Sequence, residues 1–237
     1  NHHLDGSFSE HVTELTLILA NGEIRTCSAN QNRELFLATC GGMGLTGFIL
    51  KASFKMKPID NAYIDEITLK TANLKETLEK FDENENTTYS VAWIDCLARG
   101  EALGRSLVML GEHAQEVPDN IEALKASGHS KLNMPFNFPS FTLNQYSIKA
   151  FNALYYGKVR YKASKRLIGY APFFYPLDAI RNWNRMYGKN GFVQYQFVIP
   201  KSAGLEGLTN ILNAIVESQR GSFLAVLKVF GKGNDNY

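Results

Sequence analysis

CGGMGLTGFIL, Cys40–Leu50, sets Gly41, Gly42, Gly44 and Gly47 between two apolar segments. Gly42-x-Gly44-x-x-Gly47 matches the G-x-G-x-x-G spacing of dinucleotide-binding turns. That fingerprint works only in the order strand, glycines, helix, because the pyrophosphate must meet a helix N-terminus. Upstream lies QNRELFLAT, which reads as a short helix with Asn30 placed to cap it and Leu35, Phe36 and Ala38 on an apolar side. Downstream, FILKASFKMKP alternates: Phe48, Leu50, Ala52, Phe54 and Met56 against Ile49, Lys51, Ser53, Lys55 and Lys57. This predicts a strand with one buried face, stopped by Pro58. Asp65 and Glu66 fit the ribose-binding acidic position only loosely. The order is helix, glycines, strand, so a Rossmann unit is excluded. A P-loop is excluded too, since no Gly-Lys-Ser/Thr follows. Two readings stay open: a backbone turn that approaches a nucleotide, or one that lets two chain segments pass closely.

Further upstream, Asn21-Gly22 separates apolar Thr16–Leu19 from alternating Glu23–Ser28, a hairpin signal that asks for positive φ at both turn residues. At 237 residues the chain allows one large or two modest domains, and 45% hydrophobic against 20% charged residues supports a packed core. A net charge of +2 gives no electrostatic case for nucleic acid. Three widely spaced cysteines, Cys27, Cys40 and Cys96, make neither a disulfide framework nor a zinc pattern, and favour a reducing compartment. His2, His3, His11, His113 and His129 form no metal-ligand spacing and read as structural or surface residues. No apolar run is long enough to span a membrane.

The character changes near Pro58-Ile59-Asp60, where we place a boundary between residues 1–59 and 60–237. AYIDEITLK, TYSVAWIDCLA and RSLVMLGE read as strands and LKETLEKF as a helix. Residues 113–143 read as irregular, and from Leu132 to Ile148 there are aromatics but no charge, which suits a core loop, a lid or a surface for a lipid tail. AIRNWNRMYG reads as a short helix closed by Gly188, GFVQYQFVIP as a strand, GLEGLTNILNAIVESQR as an amphipathic helix and SFLAVLKVFG as a final strand. In GFVQYQFVIP, Gln194 and Gln196 share one face, which either meets water or lines a polar pocket. In SFLAVLKVFG, Lys228 sits with Leu224, Val226 and Phe230 on a strand that looks buried on both sides. It is either an edge-strand lysine or the partner of an anion. With Trp93 nearby, two amides and one ammonium suit a ligand carrying hydroxyls and a phosphate.

These segments, with NHHLDGSFSEHV, ELFLATCGGMGLTGFI, SVAWID and YPLD…WNRMYG, resemble the decaprenylphosphoryl-ribose oxidase family. That family is a branch of the FAD-binding superfamily of vanillyl-alcohol oxidase and p-cresol methylhydroxylase (PCMH). The resemblance implies an α+β fold: the C-terminal part of a PCMH-type FAD-binding domain, closing at residues 1–59, then an antiparallel-sheet substrate domain with flanking helices at 60–237. It implies non-covalent FAD approached by Gly42, Gly44, Gly47 and Ile49. The substrate-binding positions it implies are Trp93, Gln194, Gln196, Leu224, Val226, Lys228 and Phe230, with Phe174 and Arg185 as additions. Phe174 and Val91 stand where the family pattern has Tyr and Ser, which leaves the pocket less polar.

The implied activity is oxidation of a secondary hydroxyl on a polyprenyl-phosphate-linked ribose, with a partner reductase acting on the ketone. The implied location is cytoplasmic or peripheral at the inner membrane, with transient surface contact. In the family the pyrophosphate-binding subdomain and a flavin-facing His precede this stretch, and the catalytic lysine follows it. The resemblance therefore implies a central fragment without a catalytic base that holds FAD weakly. Two alternatives stand beside this one: another FAD-dependent sugar or aldonolactone oxidase, and a non-catalytic binding module that keeps the fold.

Overall fold

The computed structural model describes residues 2–118, 122, 124 and 132–233. His129, much of the stretch read as irregular and the last four residues lie outside the described residues. Packing divides the chain into two compact units, 2–58 with 229–233, and 59–228.

In the first unit β1 (Val12–Ile18) lies between β2 (Ile24–Ser28) and β3 (Phe48–Phe54), antiparallel to both. The β1–β2 loop corrects the two-residue turn expected from Asn-Gly. Leu19 donates its N–H to the Glu23 carbonyl and Gly22 donates to the Leu19 carbonyl, so the loop is Ala20–Asn21–Gly22. Gly22 alone of the pair has positive φ, at 82°, as in three-residue hairpin loops that end on a left-handed residue. Helix α1 (Arg33–Thr39) starts after Asn32, not after Asn30. The Asn32 Nδ2 donates to the Thr26 carbonyl at 2.8 Å, and its left-handed backbone, at φ 48°, is not the extended form of a capping residue, so its side chain makes no cap bond. α1 buries Phe36 and Leu37 against Leu15, Leu17 and Cys27, and Ala38, one step further round, is exposed. The buried face expected of β3 is not formed: Phe48, Leu50 and Phe54 are exposed. β3 is an edge strand, and the helix of this unit packs over β1 and β2 instead.

The second unit is built on an antiparallel sheet in the order β10-β5-β6-β4-β8. Its strands are β4 (Tyr63–Thr71), β5 (Tyr89–Ile94), β6 (Ser106–His113), β8 (Ala163–Gly169) and β10 (Val226–Leu227). Helix α2 (Leu74–Glu83) is started by Asn73, whose Oδ1 accepts the Glu76 N–H at 2.9 Å while Glu76 Oε2 accepts from Ala72 N. α2 and α5 (Gly204–Ser218) cover one sheet face, where Leu74, Leu208 and Leu212 pack with Ile94, Cys96 and Leu97. Helix α3 (Gln145–Gly157) follows Asn144, whose side chain accepts from Tyr146 N and Ser147 N. A short parallel pair joins β7 (Leu132–Asn133) to β9 (Ile180–Arg181), and α4 (Tyr170–Phe174) follows β8 directly. Helices with antiparallel sheets make this the α+β class that the sequence indicates.

In this unit helix α3 and strand β8 were not anticipated, and three readings change. AIRNWNRMYG opens as β9 and becomes a 3-10 turn over Trp183–Tyr187, ended by Gly188. SFLAVLKVFG forms a ladder only at Val226–Leu227. GFVQYQFVIP pairs with no described strand, and residues 192–198 are exposed. Alternation supplies two side-chain faces; a strand also needs a neighbour's N–H and C=O groups, which this segment does not meet.

Candidate functional site

The glycine-rich turn links the end of α1 to β3, and close backbone approach dictates its residues. A Cβ on Gly42 would collide with the Ala38 carbonyl oxygen. Gly47 has φ of 149°, and a Cβ there would lie 2.7 Å from the Ile18 carbonyl oxygen. Any side chain at either position would force the turn away from α1 or β1. Gly44 and Gly47 line an open hollow of about 510 Å³ with Ile18, Leu19, Leu45 and Phe48. Ile49, at the start of β3, is in register with Leu17 and half exposed. The turn thus offers main-chain groups and uncovered apolar side chains at the rim of this hollow.

A second hollow in this unit, about 360 Å³, is lined by Asp5, Phe8, His11, Phe54 and Lys57, among others. Lys57 Nζ lies 2.9 Å from Asp5 Oδ2 and holds that carboxyl below its ordinary range. His11 Nε2 lies 2.9 Å from the Asp5 carbonyl, and the His2 and His3 rings stack at 4.8 Å. Among the described residues no cluster of His, Cys, Asp or Glu has the makings of a metal site.

In the second unit the register fixes which side chains share the sheet face turned away from α2 and α5. Val226 is opposite Trp93, Val91 opposite Met109, and Tyr89 opposite Gly111. Paired residues point to the same side, and that side is opposite to Ile94. Exposure alternates along the last segment: Leu224, Val226 and Lys228 are exposed, while Ala225 and Leu227 pack on the core. The strand is therefore covered on one face, not two, and Lys228 stands in water beside apolar neighbours.

Trp93 itself is only 4% exposed. Its Nε1–H donates to the Phe223 carbonyl at 2.9 Å, and Tyr155 of α3 lies over it at 4.7 Å between ring centroids. Lys158 Nζ then sits 3.5 Å above the Tyr155 ring, a close cation–π contact. Phe174 packs edge-on against Tyr89 at 4.8 Å, and Phe173 fills the space a Gly111 side chain would need.

The remaining candidates are less convergent. Arg185 Nη1 donates to the Met134 and Pro135 carbonyls, both at 2.9 Å, so this guanidinium ties the 132–138 segment to the 3-10 turn. Gln194 and Gln196 are exposed and make no hydrogen bond among the described residues. Phe230 falls in the first unit. The structure therefore brings Trp93, Leu224, Val226 and Lys228 onto one sheet face with Phe174 on the same side. It does not bring the two amides to them.

Sequence reasoning missed three groups here. Asp95 is buried and accepts Arg105 Nε and Nη2 on Oδ2 (2.9 and 2.7 Å), with Asn152 Nδ2 (2.9 Å) and Leu97 N (3.2 Å) on Oδ1. This network pins α3 to the end of β5. Glu66, also buried, holds Arg166 through two bonds of 3.0 and 2.9 Å and accepts Thr68 Oγ1. An acidic residue inside an apolar strand was the available signal for both. The third is a row of rings running on from Tyr155: Phe151 at 5.8 Å, Phe223 at 5.5 Å, Tyr187 at 5.3 Å, Phe192 at 4.4 Å and Trp183 at 5.3 Å. Its members come from three separated segments, so no local pattern announces it. Burial raises the Tyr187 hydroxyl above its ordinary range.

Similarity to known proteins agrees with the sequence resemblance to the FAD-linked oxidases. It is 38% identical to decaprenylphosphoryl-beta-D-ribose oxidase of Mycolicibacterium smegmatis (strain ATCC 700084 / mc(2)155), over 99% of this chain and 52% of that protein. It is 30% identical to an uncharacterized protein in the mprA 5' region of Streptomyces coelicolor, over 59% of this chain and 38% of that one. A shorter stretch, 20% of this chain and 9% of the relative, is 43% identical to cytokinin dehydrogenase 3 of Arabidopsis thaliana. The chain thus spans about half the length of the first of these relatives and less of the others. No profile of a known protein family matches it.

Proposed function

We propose that the chain supplies the closing turn of a PCMH-type FAD-binding domain and the substrate-binding sheet of an FAD-dependent oxidoreductase. The substrate would be a secondary hydroxyl of a polyprenyl-phosphate-linked ribose, oxidised to a ketone. The observation that carries this reading is similarity along the whole chain to an oxidase whose name specifies that substrate, together with a sheet face that gathers Trp93, Val226 and Lys228.

The residues present fit the cofactor. Gly42 and Gly47 hold the backbone where a Cβ would obstruct it, and Gly44, Leu45 and Phe48 line a hollow of suitable size. Gly42, Gly44, Gly47 and Ile49 would hold FAD through main-chain groups and apolar contact. Bound flavin supplies hydride acceptance, the difficult step of alcohol oxidation. The sheet contributes binding: Lys228 offers a solvated ammonium to the phosphate or the sugar, Val226 and Leu224 offer apolar contact, and Gln194 and Gln196 offer amides to sugar hydroxyls once their segment is docked. The ketone product requires a separate reductase if the carbon is to be inverted, and a lipid-linked substrate places the reaction at a membrane surface. Among the described residues no helix is long and apolar enough to cross a membrane.

The test is anaerobic flavin bleaching in the protein from the full reading frame, with farnesylphosphoryl-ribose as substrate. Lys228→Met is expected to raise KM at least tenfold with a smaller effect on kcat, the pattern of a lost binding contact. A flavoprotein that bleaches with a free aldonolactone and not with the lipid-linked ribose would replace this reading with the sugar-oxidase alternative.

A further inference from the structure

The row of rings running on from Tyr155 lies outside the sheet face assigned to the sugar, and a second cation, Lys158, stands at its α3 end. Tyr155 carries Lys158 at its outer face, and from there the rings run through Phe151 to Phe192 and Trp183, each within about van der Waals reach of the next. Phe151 and Phe192 are 43% and 48% exposed, and Tyr155, Phe223, Tyr187 and Trp183 are partly buried, so the row shows ring surface to the outside at two points and part of a ring between them. Its members come from α3, the Trp183–Tyr187 turn and the extended segments around Phe192 and Phe223, and they lie within one compact unit. A continuous row of rings, with a cation at one end and, among the described residues, none over the rings further on, matches an amphipathic ligand with an anionic head and a long apolar chain. A compact sugar phosphate would use the head and leave the row uncovered.

We propose that this row is the track for the isoprenoid chain of a lipid phosphate, with Lys158 at the phosphate end and Trp183 at the distal end. The inference rests on the proposed substrate class and deepens it: it assigns a binding surface to the part of the ligand that does not react. Binding energy from such a remote part is available for holding the reacting carbon in place.

Isothermal titration of the chain with inorganic phosphate, geranyl phosphate and farnesyl phosphate, each below its critical micelle concentration, tests it. Complete burial of an isoprene unit's five carbons would tighten binding by nearly three decades, and contact along one side by about one decade. The expected result is a rise of about tenfold from geranyl to farnesyl phosphate. Phe151→Ser and Phe192→Ser, both at half-exposed positions that leave the core intact, are expected to flatten that rise while Lys158→Met lowers all lipid phosphates equally. Equal affinity for the two chain lengths, no binding of farnesyl phosphate, or a chain-length dependence untouched by both serine variants overturns the track. These ligands carry no ribose, so the outcome is separate from the oxidase reading. A track without ribose oxidation leaves a lipid-phosphate site, and ribose oxidation with flat chain-length dependence leaves an oxidase without a track.

Discussion

Replacing Arg105 with Met tests whether α3 is held on the sheet by charge. Asp95 is 3% exposed and receives four donors, two of them from Arg105. Removing the guanidinium leaves Oδ2 bare while Asn152 and Leu97 still serve Oδ1. Breaking a buried ion pair from one side costs about 3–5 kcal/mol. Arg105 is a quarter exposed, so water takes up part of its role, and about 2–4 kcal/mol is the better expectation. The lost contact of Arg105 over the Tyr156 ring, 4.6 Å to the centroid, adds about 0.5–1 kcal/mol. Urea denaturation should show the loss as a lower midpoint at unchanged slope. The double variant Asp95→Asn/Arg105→Met should be more stable than Arg105→Met alone, because no unpaired charge remains. The site should respond as well. Asn152 and Tyr155 are on the same helix, so loosening α3 should open Trp93 to acrylamide quenching. A single variant within about 0.5 kcal/mol of the parent, with quenching unchanged, would refute the argument that this network positions the helix.

Four further outcomes are expected. Leu212→Ala, in the cluster with Leu74 and Ile94, should cost about 2.7–5 kcal/mol by denaturation, and a smaller value would mean that α5 is not packed as described. Gly47→Ala should cost about 1–3 kcal/mol, since both its φ and the Ile18 carbonyl oppose a side chain, whereas Gly44→Ala meets no atom and only the φ penalty. Burial raises all three thiols, so alkylation at neutral pH should be slow, with Cys40 reacting first and buried Cys27 and Cys96 only on unfolding. The Asp5 carboxyl is held low chiefly by its hydrogen bond from Lys57, so its contribution is present above the ordinary carboxylate pKa and is lost as pH falls through the depressed folded value. That pair is largely exposed, so Lys57→Met should change stability by less than about 1 kcal/mol at neutral pH, and by nothing measurable in high salt.

What the sequence made legible were elements whose evidence is local. Strands β4, β5 and β6 each carry their apolar pattern in one run, and α2 carries its charged and apolar faces in ten residues. The glycine turn was legible because order along the chain separates it from a Rossmann unit. β8 was not legible, since ASKRLIG is an edge strand with five of its seven residues exposed, and nothing in it demands burial. GFVQYQFVIP misled for the converse reason: it has the alternation of a strand, and the structure gives it no ladder. For the site, Lys228 stood out as a cation on a strand read as buried on both sides, yet the structure leaves it in water. The cover over Trp93 was not legible, because Tyr155 reaches it across more than sixty positions.

That coverage bears on how the sheet works. Register places Trp93, Val226, Val91 and Tyr89 on the face away from α2 and α5, yet the face is not bare. α3 lies over its Trp93 end and the Phe173–Phe174 pair over its Tyr89 end, while Val91 is half-buried between them. Two aromatic covers flank a half-buried valine, and the gap between them can be tested as the place where a ligand meets the sheet. Val91→Ser places a hydroxyl in that gap without adding bulk, and Val91→Trp fills it. If the gap receives the sugar, Val91→Trp in the protein from the full reading frame should abolish substrate-dependent flavin bleaching while leaving the flavin bound, and Val91→Ser should leave bleaching within about threefold, the weight of a single marginal hydrogen bond. Undiminished turnover in Val91→Trp would place the sugar elsewhere and detach this sheet face from the chemistry.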